Sequence, residues 1–337
     1  MSYSIRYCNP EEVDKLQGFL GEKWKKNHVL SSSKELLDFQ HFDATLNKYQ
    51  FIIAWHNQKK EIHAVLGVIP TYLYDRNLID HHDFWLAIWK VDKEKAEGKS
   101  LGIEILEFFY EKNKVNFIAA IGITKLAKKI YKHLGYEIKE LNHYYIINSS
   151  CINFRILQIK NEKILNQVNV DQSDYTVKVV DELKDIIHTL RPVKSHTYFY
   201  NKYKNHPFYK YTFLEVSIDD KPEFYFIGRK IDSQGSACFR IIDVYGDMSR
   251  VNSLSKSFDD FMELLGVEYI DFLNFGIKPE LIHQIGFSTF NEEDLVIPQY
   301  FEPFKSENKK IQFAFKIKEG EYTFFKGDAD QDRPNKI

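Results

Sequence analysis

Between an apolar segment and an amphipathic one, the chain carries Lys95-Ala-Glu97-Gly98-Lys99-Ser100-Leu101-Gly102. Gly98 and Gly102 let backbone approach a ligand with no Cβ in the way. A helix starting here turns unpaired N–H groups and the positive end of its dipole toward the loop, which suits a phosphate or pyrophosphate. Lys95 and Lys99 add positive charge. The same run also reads as an ordinary strand-to-helix turn. A second cluster, Tyr198–Tyr211, is dense in aromatic and basic residues. Aromatic faces stack on bases and lysines hold phosphates, so Tyr200, Tyr203, Lys204, His206 and Tyr209 are candidate contacts to a nucleotide. An edge segment with surface lysines is the plainer alternative. In Asp80-His81-His82-Asp83 the two histidines are neighbours, and neighbours on a strand point to opposite faces, so no metal site is expected. Asp328, Asp330 and Asp332 copy the first ligand positions of a calcium loop, but Arg333 stands where that loop needs glycine. Residues 326–337 are therefore expected to be a polar, disordered C-terminal tail.

These residues need a scaffold, and two stretches supply the same order of elements. Phe84–Val91 is nearly all apolar or aromatic, as in a strand buried on both faces, and Val115–Ile123 is a second buried strand. Between them Ile103, Leu106 and Tyr110 form a helical stripe. Leu126–Leu134 is an amphipathic helix closed by Gly135, the residue that favours a helix end. The order recurs as a strand at Phe239–Tyr245, a stripe of Val251, Leu254, Phe258, Phe261 and Leu265, a strand at 267–275 and a helix at 280–285 ending at Gly286. An internal structural duplication follows. The polar run 161–175 separates the halves, placing domains at 1–160 and 170–325.

The first half resembles the GNAT acyltransferases. That family follows its fourth strand with Gln/Arg-x-x-Gly-x-Gly/Ala; here Glu97-Gly98-Lys99-Ser100-Leu101-Gly102 departs at Glu97 and Ser100. Downstream, Ala127-Lys-Lys-Ile-Tyr131-Lys-His-Leu-Gly135-Tyr136 keeps the family's spacing. The resemblance implies an α+β fold of two GNAT-like domains in tandem, each a mixed, largely antiparallel sheet flanked by helices. It implies coenzyme A contacts from Val91, Lys95, Gly98, Lys99, Ser100, Leu101, Gly102, Thr124 and Ala127. Tyr131 then stands as general acid near the coenzyme sulfur, Asp83 as candidate base, and a backbone N–H where the strand bulges around Ala87–Trp89 as oxyanion donor. The second half lacks the paired glycines, so it is expected to bind acceptor rather than coenzyme.

The aromatic stretch and the polar tail also resemble tandem GNAT-like proteins of bacterial surface-glycan clusters. That likeness implies acyl transfer, acetyl or a short hydroxyacyl such as 3-hydroxybutanoyl, from acyl-CoA to the amine of a dTDP- or UDP-linked amino-deoxysugar. Aminoacyl transfer to peptidoglycan precursors and a non-catalytic coenzyme- or nucleotide-binding module are the alternatives. A net charge of −2 over 337 residues gives no electrostatic footprint for long nucleic acid. Three scattered cysteines without a C-x-x-C spacing fit a reducing cytoplasm better than a disulfide framework. Met1–Arg6 leads into charge with no apolar run, so neither a signal peptide nor a membrane span is expected.

Overall fold

The structure is a computed structural model that describes residues 2–96, 100–166, 174–251 and 253–335. Two eight-stranded mixed sheets organise it. The first uses β1 (Tyr3–Cys8), β2 (Lys48–His56), β3 (Glu61–Pro70), β4 (Asp83–Val91), β5 (Phe117–Ile121) and β6 (Glu137–Glu140). The second uses β7 (Asn142–Ile147), β8 (Thr176–Val180), β9 (Thr212–Ile218), β10 (Lys221–Ser233), β11 (Ser236–Gly246) and β12 (Tyr269–Phe275). Two further strands, β13 (Gln312–Ile317) and β14 (Phe324–Phe325), come from the C-terminal end of the chain. The orders are β1-β2-β3-β4-β5-β13-β6 and β8-β9-β10-β11-β12-β7, each with one further short strand, and β14 pairs with β12. Membership therefore crosses the chain's midpoint: β7 joins the second sheet and β13 the first.

Local sequence accounts for the elements. Helix α1 (Val13–Phe19) and α2 (Lys34–His41) bury Leu16, Leu36 and Leu37 against one face of the first sheet. Ser33 caps α2 by accepting from the Leu36 N–H at 3.1 Å. Helix α3 (Leu101–Lys112) buries Leu101, Ile105, Leu106 and Phe109, whereas Tyr110 is 38% exposed. The expected Ile103–Leu106–Tyr110 stripe is thus rotated. The helix begins at Leu101, and Gly102 and Ile103 face a cavity rather than the core. Helix α4 (Lys125–His133) is capped by Thr124, whose hydroxyl accepts from the Ala127 N–H, and stops where Gly135 takes a φ of +76°. In the second half α5 (Ser255–Leu265) and α6 (Pro279–Ile285) cover the matching positions. One core runs from Trp85 and Phe117 through Phe324 to Tyr203 and Tyr245, so the sheets share packed side chains.

Candidate active site

Strands β4 and β5 begin as parallel neighbours, Asp83 to Leu86 facing Phe117 to Ala120, and then part. Burial along β4 follows: its first four residues are buried, whereas Ala87 and Trp89–Val91 are only partly so. Against β3 the ladder shifts at the same level. Leu66 pairs with Trp89 and Val68 with Leu86, leaving Ala87 and Ile88 opposite the single residue Gly67. A bulge of this kind bends the strand and leaves its extra residue unpaired in the ladder. This is the position expected for the oxyanion donor.

The parting opens a cavity of about 1080 Å³. One wall is the far half of β4, the start of α3, Gly122–Thr124 and the Ala127–Tyr131 face of α4. The other is Tyr209, Arg229, Arg240, Gln299, Tyr300 and Phe301, and the floor is the C-terminal segment from Lys326 to Arg333. Helix α3 can sit this close only because residue 102 lacks a side chain. A Cβ there would lie 3.1 Å from Val91 Cγ2 and 3.4 Å from Trp89 Nε1, which donates to the Gly102 carbonyl at 3.2 Å.

The second half contains the matching junction. Strands β11 and β12 run parallel only over Phe239–Ile241 and Ile270–Phe272. Beyond them β14 pairs with Asn274 and Phe275, the Lys326 N–H donates to the Leu273 carbonyl, and the Gly327 N–H donates to the Ile242 carbonyl at 2.7 Å. The chain's own C-terminal segment therefore bridges the two strands where the first half has its cavity. A Cβ on Gly327 would stand 2.6 Å from the Tyr203 hydroxyl and 2.8 Å from the Ile242 carbonyl oxygen.

Tyr131 is 2% exposed and packs its ring 5.4 Å from that of Trp89 at the cavity wall. Burial raises its phenol above the ordinary tyrosine value, so it is protonated at neutral pH. Val91, Ser100, Gly102, Thr124 and Ala127 line the same cavity. Leu101 is buried in the core beneath them. Glu97, Gly98 and Lys99 lie outside the described residues. Lys95 is corrected: its Nζ is held by Glu61 at 2.5 Å, and among the described residues the lysines on the cavity are Lys25, Lys90, Lys93 and Lys326.

Asp83 is corrected as well. It stands at the opposite end of β4 from Val91, in a separate cavity of about 80 Å³ with Arg191 and Tyr322. Burial raises its carboxyl to about 7, but it does not line the large cavity. Of the acceptor candidates, Tyr209 lines the cavity under Arg229, whose guanidinium carbon lies 4.1 Å from the ring centre. His206 stacks behind Tyr209 and accepts from two backbone N–H groups. Tyr203 is buried and donates to Asp243 at 2.6 Å; Lys204 reaches the Asp181 carbonyl and Glu182 at the surface; Tyr200 does not line the cavity.

The disordered tail is the largest correction. Asp328 is fully buried in a cluster where Lys194 Nζ reaches Asp243 at 2.9 Å and Asp328 at 2.8 Å. Asp332 takes both Nε and Nη2 of Arg229, Asp330 pairs with Arg333, and Arg333 Nη2 lies 2.9 Å from His28 Nε2. Sequence reasoning missed Arg229, Arg240, Lys326 and His28. Arg240 had a signal: a lone arginine in the apolar run Ala237–Ile242 must be paired if it is buried.

Among the described residues no group of acids, histidines and cysteines is arranged to hold a metal, and no helix is long and apolar enough to cross a membrane. The three cysteines are unpaired.

Comparison with family models and with curated proteins finds no match. Solved structures do match. A GCN5-related N-acetyltransferase from Anabaena variabilis ATCC 29413 superposes with a TM-score of 0.54 over 94% of this chain and 72% of its own, at 12% identity. A conserved protein of unknown function from Enterococcus faecalis V583 gives 0.53 over the same shares at 13% identity. The fold is that of the GCN5-related N-acetyltransferases. At this identity the likeness concerns architecture, and it covers both sheets of the chain. The GCN5-related architecture is thus present in tandem, with one strand junction open and the other occupied by the C-terminal segment.

Proposed function

We propose that the chain is an N-acyltransferase that takes an acyl group from acyl-CoA and passes it to the amine of a nucleotide-linked amino-deoxysugar. The open junction between β4 and β5 carries this reading. It joins a bulged strand, a helix start with Gly102 at the opening and a protonated tyrosine in one cavity. In the reaction the acceptor nitrogen attacks the thioester carbonyl, a C–N bond forms and the C–S bond breaks. A backbone N–H at Ala87–Trp89 holds the tetrahedral oxyanion. The Tyr131 hydroxyl gives its proton to the departing thiolate, and the amine's proton leaves through water at the cavity mouth. The start of α3 takes the coenzyme's pyrophosphate, with Lys90 and Lys93 nearby. Rings of Tyr209, Tyr300 and Phe301 beside Arg229 and Arg240 support a nucleotide-linked acceptor on the other wall.

The test mixes full-length protein with acetyl-CoA or 3-hydroxybutanoyl-CoA and dTDP- or UDP-linked amino sugars, following thiol release and the thermal shift with coenzyme A. Coenzyme-induced stabilisation with thiol release on one amino sugar is expected. Neither stabilisation nor release sinks the whole reading. Stabilisation without turnover on any amino sugar removes the acceptor and leaves the donor site.

A further inference from the structure

Arg229 of β10 and Arg240 of β11 are direct partners in the antiparallel ladder. Side chains so placed share one face, with Cβ atoms about 5 Å apart, and like charges there repel. Each arginine is held by its own carboxylate. Arg229 gives Nε and Nη2 to Asp332, and its Nη1 has no hydrogen bond among the described residues. Arg240 gives Nε and Nη2 to Asp271, the nearest contact 2.7 Å, and Nη2 also to the Pro298 carbonyl at 2.9 Å, while its Nη1 has only the Gln299 carbonyl at 3.5 Å.

Lys326 enters the same space from the C-terminal segment. The residue is only 6% exposed and lines the cavity with both arginines. Among the described residues its Nζ has neither a hydrogen bond nor an ion pair. The acids facing it are Asp271 and Asp332, each already spent on an arginine, and His143 is hydrogen-bonded to Asp271. Burying an ammonium without a partner is costly. Two guanidinium groups and one amine thus meet two committed carboxylates, with unspent donors left on the cavity side. Beside them, the buried Gln299 Oε1 is an acceptor without a donor among the described residues.

We propose that Arg229, Arg240 and Lys326 form a subsite for a phosphoryl group carried by the acceptor. This rests on the reading of the cavity as an acyl-transfer site and specifies which wall takes the acceptor's charge. Gln299 Oε1 then accepts from a hydroxyl next to the phosphate, as in a phosphorylated sugar. The same chemistry exists in the phosphates of coenzyme A, whose place is the start of α3 on the opposite wall. Burial and the Arg240 charge hold the free Lys326 amine at about 7, so anion binding draws a proton onto it.

The test is calorimetric titration of full-length protein with inorganic pyrophosphate, alone and saturated with coenzyme A. Saturable binding is expected in both states. Lys326→Met and Lys326→Gln should each weaken it at least tenfold, with coenzyme affinity within twofold of wild type and the melting transition intact. Buffers of different ionisation enthalpy should show proton uptake near pH 8 in wild type and less in both variants. Absence of saturable binding overturns the proposal, as does wild-type affinity in both variants. If coenzyme A abolishes pyrophosphate binding and the variants weaken coenzyme binding equally, the subsite serves the coenzyme's phosphates and the acceptor assignment falls. None of these readouts requires turnover, so acyl transfer can fail while the subsite stands, and the reverse.

Discussion

The Tyr131 hydroxyl keeps its proton because burial disfavours the phenolate, and among the described residues nothing hydrogen-bonds it. If that proton goes to the thiolate, Tyr131→Phe should lower kcat about 100-fold, a typical effect for one acid–base group, with coenzyme affinity nearly unchanged. Thiol-release kinetics beside coenzyme titration decide this; unchanged kcat removes the role. Lys326 makes a different prediction. Its amine sits at about 7 when folded and 10.5 when free. Between those values the unfolded chain binds more protons, so this group's contribution to stability grows as pH rises and is lost as pH falls through 7. Lys326→Met should therefore stabilise the unliganded protein by roughly 1–3 kcal/mol at pH 6.5, with the gain shrinking toward pH 10. Melting temperatures across that range measure it, and a gain independent of pH would contradict the assigned cause.

Among the elements, the C-terminal segment holds the second-half junction through Asp328, which shares Lys194 with Asp243 in a site closed to water. Asp328→Ala should cost about 3 kcal/mol, because removing one partner of a buried ion cluster leaves charge uncompensated. Denaturant titration gives the value; a loss below about 1 kcal/mol would mean that Asp243 alone satisfies the lysine. This segment also marks the limit of what sequence revealed. The strand–helix–strand–helix order of both halves was legible, because apolar runs and 3.6-residue periodicity are local. So was the stop of α4 at Gly135, which rests on short-range chemistry, whereas its cap at Thr124 was not read. The tail was misread because its acids resemble solvated residues until their partners Lys194 and Arg229 arrive from over 100 positions upstream. Asp83 was misassigned for a similar reason: residue order along β4 does not say which end of the strand borders the opening.

At the scale of the whole molecule, strand exchange decides how the halves unfold. The first sheet lacks its link between β5 and β6 without β13, and the second loses the strand beside β12 without β7. A fragment of residues 1–160 would expose both edges that β13 pairs and leave Phe117 without Phe324 and Tyr322. Full-length protein should accordingly melt in one transition, with calorimetric and van't Hoff enthalpies equal, although a chain of this length often shows two. The isolated fragment should show no cooperative transition. Two resolved transitions in the intact chain, or a fragment that melts cooperatively, would show that the halves are energetically separate. Coupling of this kind also bears on the site. Its two walls come from different halves of the chain, and its floor is tied to Leu273 of the second sheet and to His28 of the first half. A ligand touching both walls should therefore raise the single transition as a unit, and a shift confined to part of it would argue against a shared cavity.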